Sequence, residues 1–184
     1  MLNEKATIKT EAIFSDDRKH RYLLRKEWDL KKSRATIIMT NPSTADILMM
    51  DYTTIYIMNN IVKLNFGSVD IVNLISKMTT KINVKNDIEI KIDARNADYI
   101  FSSAEKSEKV IIAWGKLGEN NKKVRDAQES LLDFLKPFKH KFCVIANENG
   151  ASGFHPLAPQ IRFVWILKKY DFTAPAAVAK VAKS

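Results

Sequence analysis

One cysteine in 184 residues, Cys143, excludes an internal disulfide. Set between Phe142 and Val144-Ile-Ala146, it has the surroundings of a small buried hydrophobe. Only three histidines accompany it, so neither a zinc site of the usual nitrogen and sulfur ligands nor a cofactor is expected. Carboxylates remain available to hold magnesium. Long hydrophobic runs are missing too: Ala35–Met39 and Val110–Trp114 fall far below the roughly 20 apolar residues of a membrane-spanning helix. The start, Met1-Leu-Asn-Glu-Lys5, lacks the apolar stretch of a secretory signal. A cytoplasmic protein without a membrane partner is expected.

Hydrophobic residues make up 46% of the chain, and the formal net charge is +9. The first figure is ordinary for a globular core, and the length allows one domain without staples. The second favours a polyanionic partner, because each cation that neutralises a phosphate releases counterions. Double- or single-stranded DNA is therefore the expected partner. A basic surface also serves solubility, and the excess is spread over Lys31-Lys32, Lys122-Lys123, Lys136, Lys139, Lys141 and Lys168-Lys169.

Residues 1–10 are polar and expected to be loose, 11–171 form the domain, and 172–184 are a low-complexity tail read as disordered. Residues 11–28 suggest a hairpin around Ser15-Asp-Asp-Arg18. Four later apolar runs end in small or polar residues: Ala35–Thr40, Val69–Val72, Lys109–Ala113 and Lys141–Ala146. Continuous runs of this kind suit strands buried on both faces. Between them, helical spacing covers Thr53–Leu64, with Ile55, Met58, Ile61, Val62 and Asn65 toward the core, then the longer segment Ile88–Glu108, helical from about Asp93, and Asn120–Leu135. A last helix is expected over Pro159–Lys169. The alternation predicts an α/β fold of three layers, α/β/α, with a short, mainly parallel central sheet and an N-terminal β-hairpin.

In such sheets ligands bind beyond the carboxyl ends of the strands. Asn41, Ser43, Thr44, Asn73, Trp114, Asn147 and His155 would meet there. In Asn41-Pro-Ser-Thr44, Pro42 stiffens the exit from the strand, and Ser43 or Thr44 can cap the next segment of chain. Asp46 and Asp51 flank the apolar insert Ile47-Leu-Met-Met50; each is either a general base or a helix cap, and capping suits Asp51. Asn73 presents both a donor and an acceptor, the pattern of a nucleobase edge. His155 comes after the glycine-rich approach Gly150-Ala-Ser-Gly-Phe154, whereas His20 and His140 look like surface residues. Phe66 and Trp114 are able to stack on a flat ring, though core packing is the safer reading of Trp114. Arg21 and Arg25, on the hairpin, and Arg162 are the candidate DNA contacts; the hairpin pair serves equally to pin the hairpin.

Arg21-Tyr-Leu-Leu-Arg-Lys-Glu-Trp28, Asn41-Pro-Ser-Thr-Ala-Asp46, Asp51-Tyr-Thr53, Val72-Asn-Leu74, Ala113-Trp-Gly115 and His155-Pro-Leu157, in that order, resemble a family of bacterial and phage proteins, domain of unknown function 1643. More distantly, the sequence of strand ends is similar to the uracil-DNA glycosylase superfamily. That resemblance implies a uracil-DNA-glycosylase-like fold in which Asn41 positions water, Asn73 reads a flipped base, His155 stabilises the departing base anion and Phe66 stacks on it. Thr40 stands where many members have glycine, and Leu157 where they have serine. The expected function is a monofunctional DNA glycosylase acting on uracil, a damaged base or a hypermodified pyrimidine, in repair or antiviral defence. The catalytic set is Asn41, His155 and Asp46; the substrate-binding set is Pro42, Ser43, Asp51, Phe66, Asn73 and Trp114. The rivals are a base- or nucleotide-binding module without turnover and a metal-dependent nucleotide hydrolase.

Overall fold

In a computed structural model that describes residues 1–43, 45–78 and 92–173, the apolar runs assemble into one sheet. Its strands are β1 (Lys9–Phe14), β2 (Arg21–Glu27), β3 (Arg34–Met39), β4 (Ser68–Asn73), β5 (Lys109–Ile112), β6 (Phe142–Ala146) and β7 (Ile166–Lys169). Their order is β1-β2-β4-β3-β5-β6-β7. β3 pairs parallel with β4 and β5, and β5 with β6. β1 with β2, β2 with β4 and β6 with β7 are antiparallel. The sheet is therefore mixed rather than mainly parallel.

Part of that correction lies at the C-terminal end. The helix expected over Pro159–Lys169 is a single 3-10 turn at Pro159–Ile161, followed by β7. The alternation of exposed and half-buried residues in β7 reflects its place on the edge, where one face meets solvent. Lys9 and Thr10, expected to be loose, begin β1. Phe172 stacks on Phe142 at 5.7 Å; the tail from residue 174 onward and the first residues of the expected 88–108 segment lie outside the described residues.

Three helices complete the layers. α1 (Tyr52–Lys63) starts at Asp51, whose carboxylate accepts the Thr54 N–H at 2.8 Å. It ends with Asn65 at φ +65°, a left-handed position that asparagine tolerates. Its core face is Ile57, Met58 and Ile61; Val62 is half exposed and Asn65 faces solvent, so both leave the expected core set. α2 (Ala94–Lys106) is capped by Asp93 and α3 (Lys122–Phe134) by Asn121. Ile37, Ile71, Ile111 and Ile145 pack with α1, while Ile38, Val72, Val110 and Ile112 pack with α2 and α3. The sheet is thus covered on both faces. Among the described residues no helix is long and apolar enough to cross a membrane.

Candidate functional site

The connections leaving neighbouring strands set the place of the site. The chain leaves β3 toward α1 on one face, but leaves β4 and β5 toward α2 and α3 on the other. Loops that part in this way open a crevice at the carboxyl ends of the strands between them. Here that switch point, the candidate crevice, falls at the end of β3, between β4, which ends in Asn73, and β5, which is followed by Trp114-Gly115. Met39 and Asn73 are in register, one residue before Thr40-Asn41.

Asn73 shares the face of Val69 and Ile71, the α1 side. It is fully buried, and neither its Nδ2 nor its Oδ1 has a hydrogen-bond partner among the described residues. Leaving a buried polar group unsatisfied costs about 1–3 kcal/mol, so two such atoms on one amide call for a reason. The Asn73 backbone is secured separately, since Asn96 Nδ2 donates to its carbonyl at 2.9 Å and to that of Leu74 at 3.2 Å.

His155 stands across the crevice. Its Nδ1 accepts the Leu157 N–H at 3.2 Å, which leaves the ring proton on Nε2. Burial pushes its pKa below the usual 6.5, while the negative charge of Asp51 opposes the shift. Gly115, at φ +65°, lies against it, and a Cβ there would stand 3.0 Å from the His155 Cβ. Asn41 and Ser43 are half-buried and Pro42 is buried; Asn41 Nδ2 reaches the Pro42 carbonyl at 3.4 Å. Thr44 lies outside the described residues.

The carboxylates of the expected set are engaged locally. Asp46 accepts the Leu48 and Met49 N–H groups at 2.9 Å each, which hold its pKa down. Asp51 caps α1. The turn made by Asp46 presents Leu48 and Met49, 87% and 67% exposed, beside the site.

Arg21 is the largest surprise. As a DNA contact it would have to be exposed, yet it is 1% exposed. The pairing of β1 with β2 skips Tyr22. Such a bulge re-aims side chains, and here it turns Arg21 onto the face of Leu24. Arg21 Nη1 donates to the carbonyls of Ser43 and Ala45, while its Nε has no partner among the described residues. Burial lowers its pKa to about 10, with Asp51 and Asp46 opposing the shift, so it stays cationic at neutral pH. Lys26, five residues along, donates to the Ile47 carbonyl at 3.0 Å. Strand β2 thus ties down the loop after β3, a role that strict alternation along the hairpin conceals.

Other expected roles also change. Phe66 precedes β4 and packs in the α1 core; it sits at the amino end of the strand, roughly 20 Å along the chain from Asn73, so it cannot stack on a base there. Trp114 packs with α2 and α3, and its carbonyl accepts the Thr40 hydroxyl at 3.4 Å. Arg25 forms a two-pronged pair with the fully buried Asp70, at 2.7 and 2.8 Å, and reaches Glu11 at 3.1 Å. This pair pins the hairpin to β4, the second of the two roles expected for Arg25. Arg162 remains half-buried on the rim, 5.8 Å over the Tyr56 ring. Asn147 accepts the Ala151 N–H within its own turn. His20, expected at the surface, is half-buried and bonded to Ser76 Oγ at 2.8 Å. Buried Asn96, which anchors α2 to the end of β4, was not foreseen; an asparagine three residues after a capping aspartate was its only signal.

These features define an α/β protein with a mixed seven-stranded sheet whose parallel strands end in a group of polar residues at their carboxyl edge. The chain belongs to the family described as protein of unknown function (DUF1643), whose model matches residues 21–157. That span opens at Arg21 and closes just beyond His155-Pro156, so it encloses the crevice and leaves out β1 and β7. No curated protein and no solved structure matches the chain.

Proposed function

We propose that the chain is a DNA glycosylase that hydrolyses the N-glycosidic bond of a base turned out of the strand. The observation that carries this reading is Asn73. A fully buried amide whose polar atoms both lack a partner among the described residues, at the carboxyl edge of a central strand, is suited to pair with a base edge that offers one donor and one acceptor. Asn73 is closed off from solvent, so a base reaches it only when its surroundings yield.

The other roles build on that placement. His155, kept neutral by burial, offers its Nε2–H to the oxygen on which charge gathers as the base departs. Asn41 orients the attacking water. The exposed Leu48-Met49 turn enters the space left by the extruded base, and the basic surface holds the phosphates. A second reading, base binding without turnover, has its own support. Asp46 and Asp51 are both engaged in capping bonds, and the Asn41 amide can orient a water but cannot take its proton.

Duplexes carrying uracil, damaged bases or modified cytosines, incubated with the protein and treated with alkali, separate the two. Strand breaks that fall about 100-fold or more in His155→Ala and vanish in Asn73→Ala support the glycosylase. Tight binding of one such duplex with no breaks in the parent protein supports the binding module.

A further inference from the structure

A second cleft lies on the opposite face of the sheet, close to the same carboxyl edge. It has a volume of about 300 Å³ and is lined by Ile13, Phe14, Tyr22, Arg95, Asp98 and Tyr99. The bulge that turns Arg21 toward the crevice leaves Tyr22 on this side, where it stacks on Tyr99 at 5.6 Å with the rings 13° apart. His20 extends the stack at 6.3 Å and 15°. Two cations lie against the aromatic wall: Arg18 4.3 Å from the Phe14 ring centre and Arg95 5.9 Å from that of Tyr22. Arg95 and Asp98 are exposed on the first turns of α2, and Tyr99 is half-buried. Arg95 adjoins Asn96, which holds the Asn73 carbonyl. The cleft therefore lies one residue along α2 from the side chain that holds the end of β4.

We propose that this cleft is a second nucleotide subsite, taking an unpaired base that carries an amino group. Tyr22 is buried in the stack and backs it; the half-buried rings of Tyr99 and Phe14 are the surfaces on which a base can lie, and the arginines beside them attract the attached phosphate. Asp98 supplies selectivity. A carboxylate accepts from the N4 amino group of cytosine, whereas thymine turns a carbonyl oxygen to the same place and is repelled. The volume, at the small end of ligand pockets, suits one nucleotide rather than a duplex. The proposal deepens the glycosylase reading, because a strand distorted around an extruded base has unpaired neighbours. The cleft binds its base whether or not the crevice performs chemistry.

The test uses the full chain with fluorescent oligo(dC) and oligo(dT), which contain no base of the kinds proposed for excision, and with dCMP as competitor. Oligo(dC) should bind more tightly than oligo(dT). Tyr99→Ala should weaken both by about tenfold or more, Tyr99→Phe should keep parent affinity, and Arg95→Glu, an exposed change, should weaken both. Asp98→Asn should erase the preference for cytosine. Competition by dCMP assigns the cleft to free nucleotides as well, and binding of the oligonucleotide alone assigns it to a strand; both uphold the subsite. Parent affinity in Tyr99→Ala and Arg95→Glu, or no binding of any probe, overturns it. That failure would leave the alkali-break experiment on duplexes unaffected, and absence of breaks there would leave this one unaffected.

Discussion

The amide of Asn73, without a partner among the described residues, makes a prediction that runs against ordinary core mutagenesis. Replacing it with leucine, which branches at the same carbon, removes two unsatisfied polar atoms from the interior. Asn73→Leu is expected to keep or raise the unfolding free energy, by up to about 3 kcal/mol in denaturant titration, while abolishing base recognition. A clear loss of stability would mean that the amide serves the fold. His155 adds a pH signature. Its folded-state pKa lies below the unfolded value near 6.5, so the unfolded chain binds the extra proton as pH falls through that value. Stability linked to His155 is complete above pH 6.5 and declines below it. Melting curves should show that decline flattened in His155→Gln. Gly115 has a steric role: φ +65° and the 3.0 Å approach to His155 make Gly115→Ala costly by about 1–3 kcal/mol and displace the imidazole.

At the scale of elements, the loop after β3 depends on β2. Arg21 holds Ser43 and Ala45, and Lys26 holds Ile47. Arg21→Met should leave the sheet folded while hydrogen exchange across Ala45–Met50 accelerates. Unchanged exchange would show that Asp46 and the α1 cap suffice to hold the loop. The hairpin hangs on a different bond. Asp70 is wholly buried against Arg25, with Arg34 3.7 Å away, and breaking a buried pair costs about 3–5 kcal/mol. Arg25 keeps some exposure, so Asp70→Ala belongs near the low end of that range, measurable by denaturant titration. The apolar spacing of α1, by contrast, was only half legible. The helical spacing found Met58 and Ile61, but Ile55 and Ile57, two residues apart, point to nearly opposite sides of the helix, and the sheet beneath buried Ile57 and left Ile55 half-buried.

For the molecule as a whole, the charge of +9 is the testable quantity. If DNA is the partner, affinity should fall steeply as salt rises, on the order of 10³-fold or more between 50 and 200 mM for six phosphate contacts. Affinity that ignores salt would assign the lysines to solubility. The four parallel strands, their helices and the strand-end positions of Asn41 and Asn73 were legible because each rests on a local signal: a β-branched run, a cap, a polar strand end. Three decisions needed the folded chain. Ile166–Lys169 became a strand because β6 offered an open hydrogen-bonding edge, and no window of four residues records that. Arg21 turned inward because a bulge against β1 shifted the alternation by one residue. Phe66 stands before β4 in the sequence itself, but its burial was decided by the packing of α1 on that face of the sheet. Local pattern thus determined which elements exist and which residues end them. Register, edges and burial, which arise only when distant segments compete for the same bonds and space, decided what those residues touch.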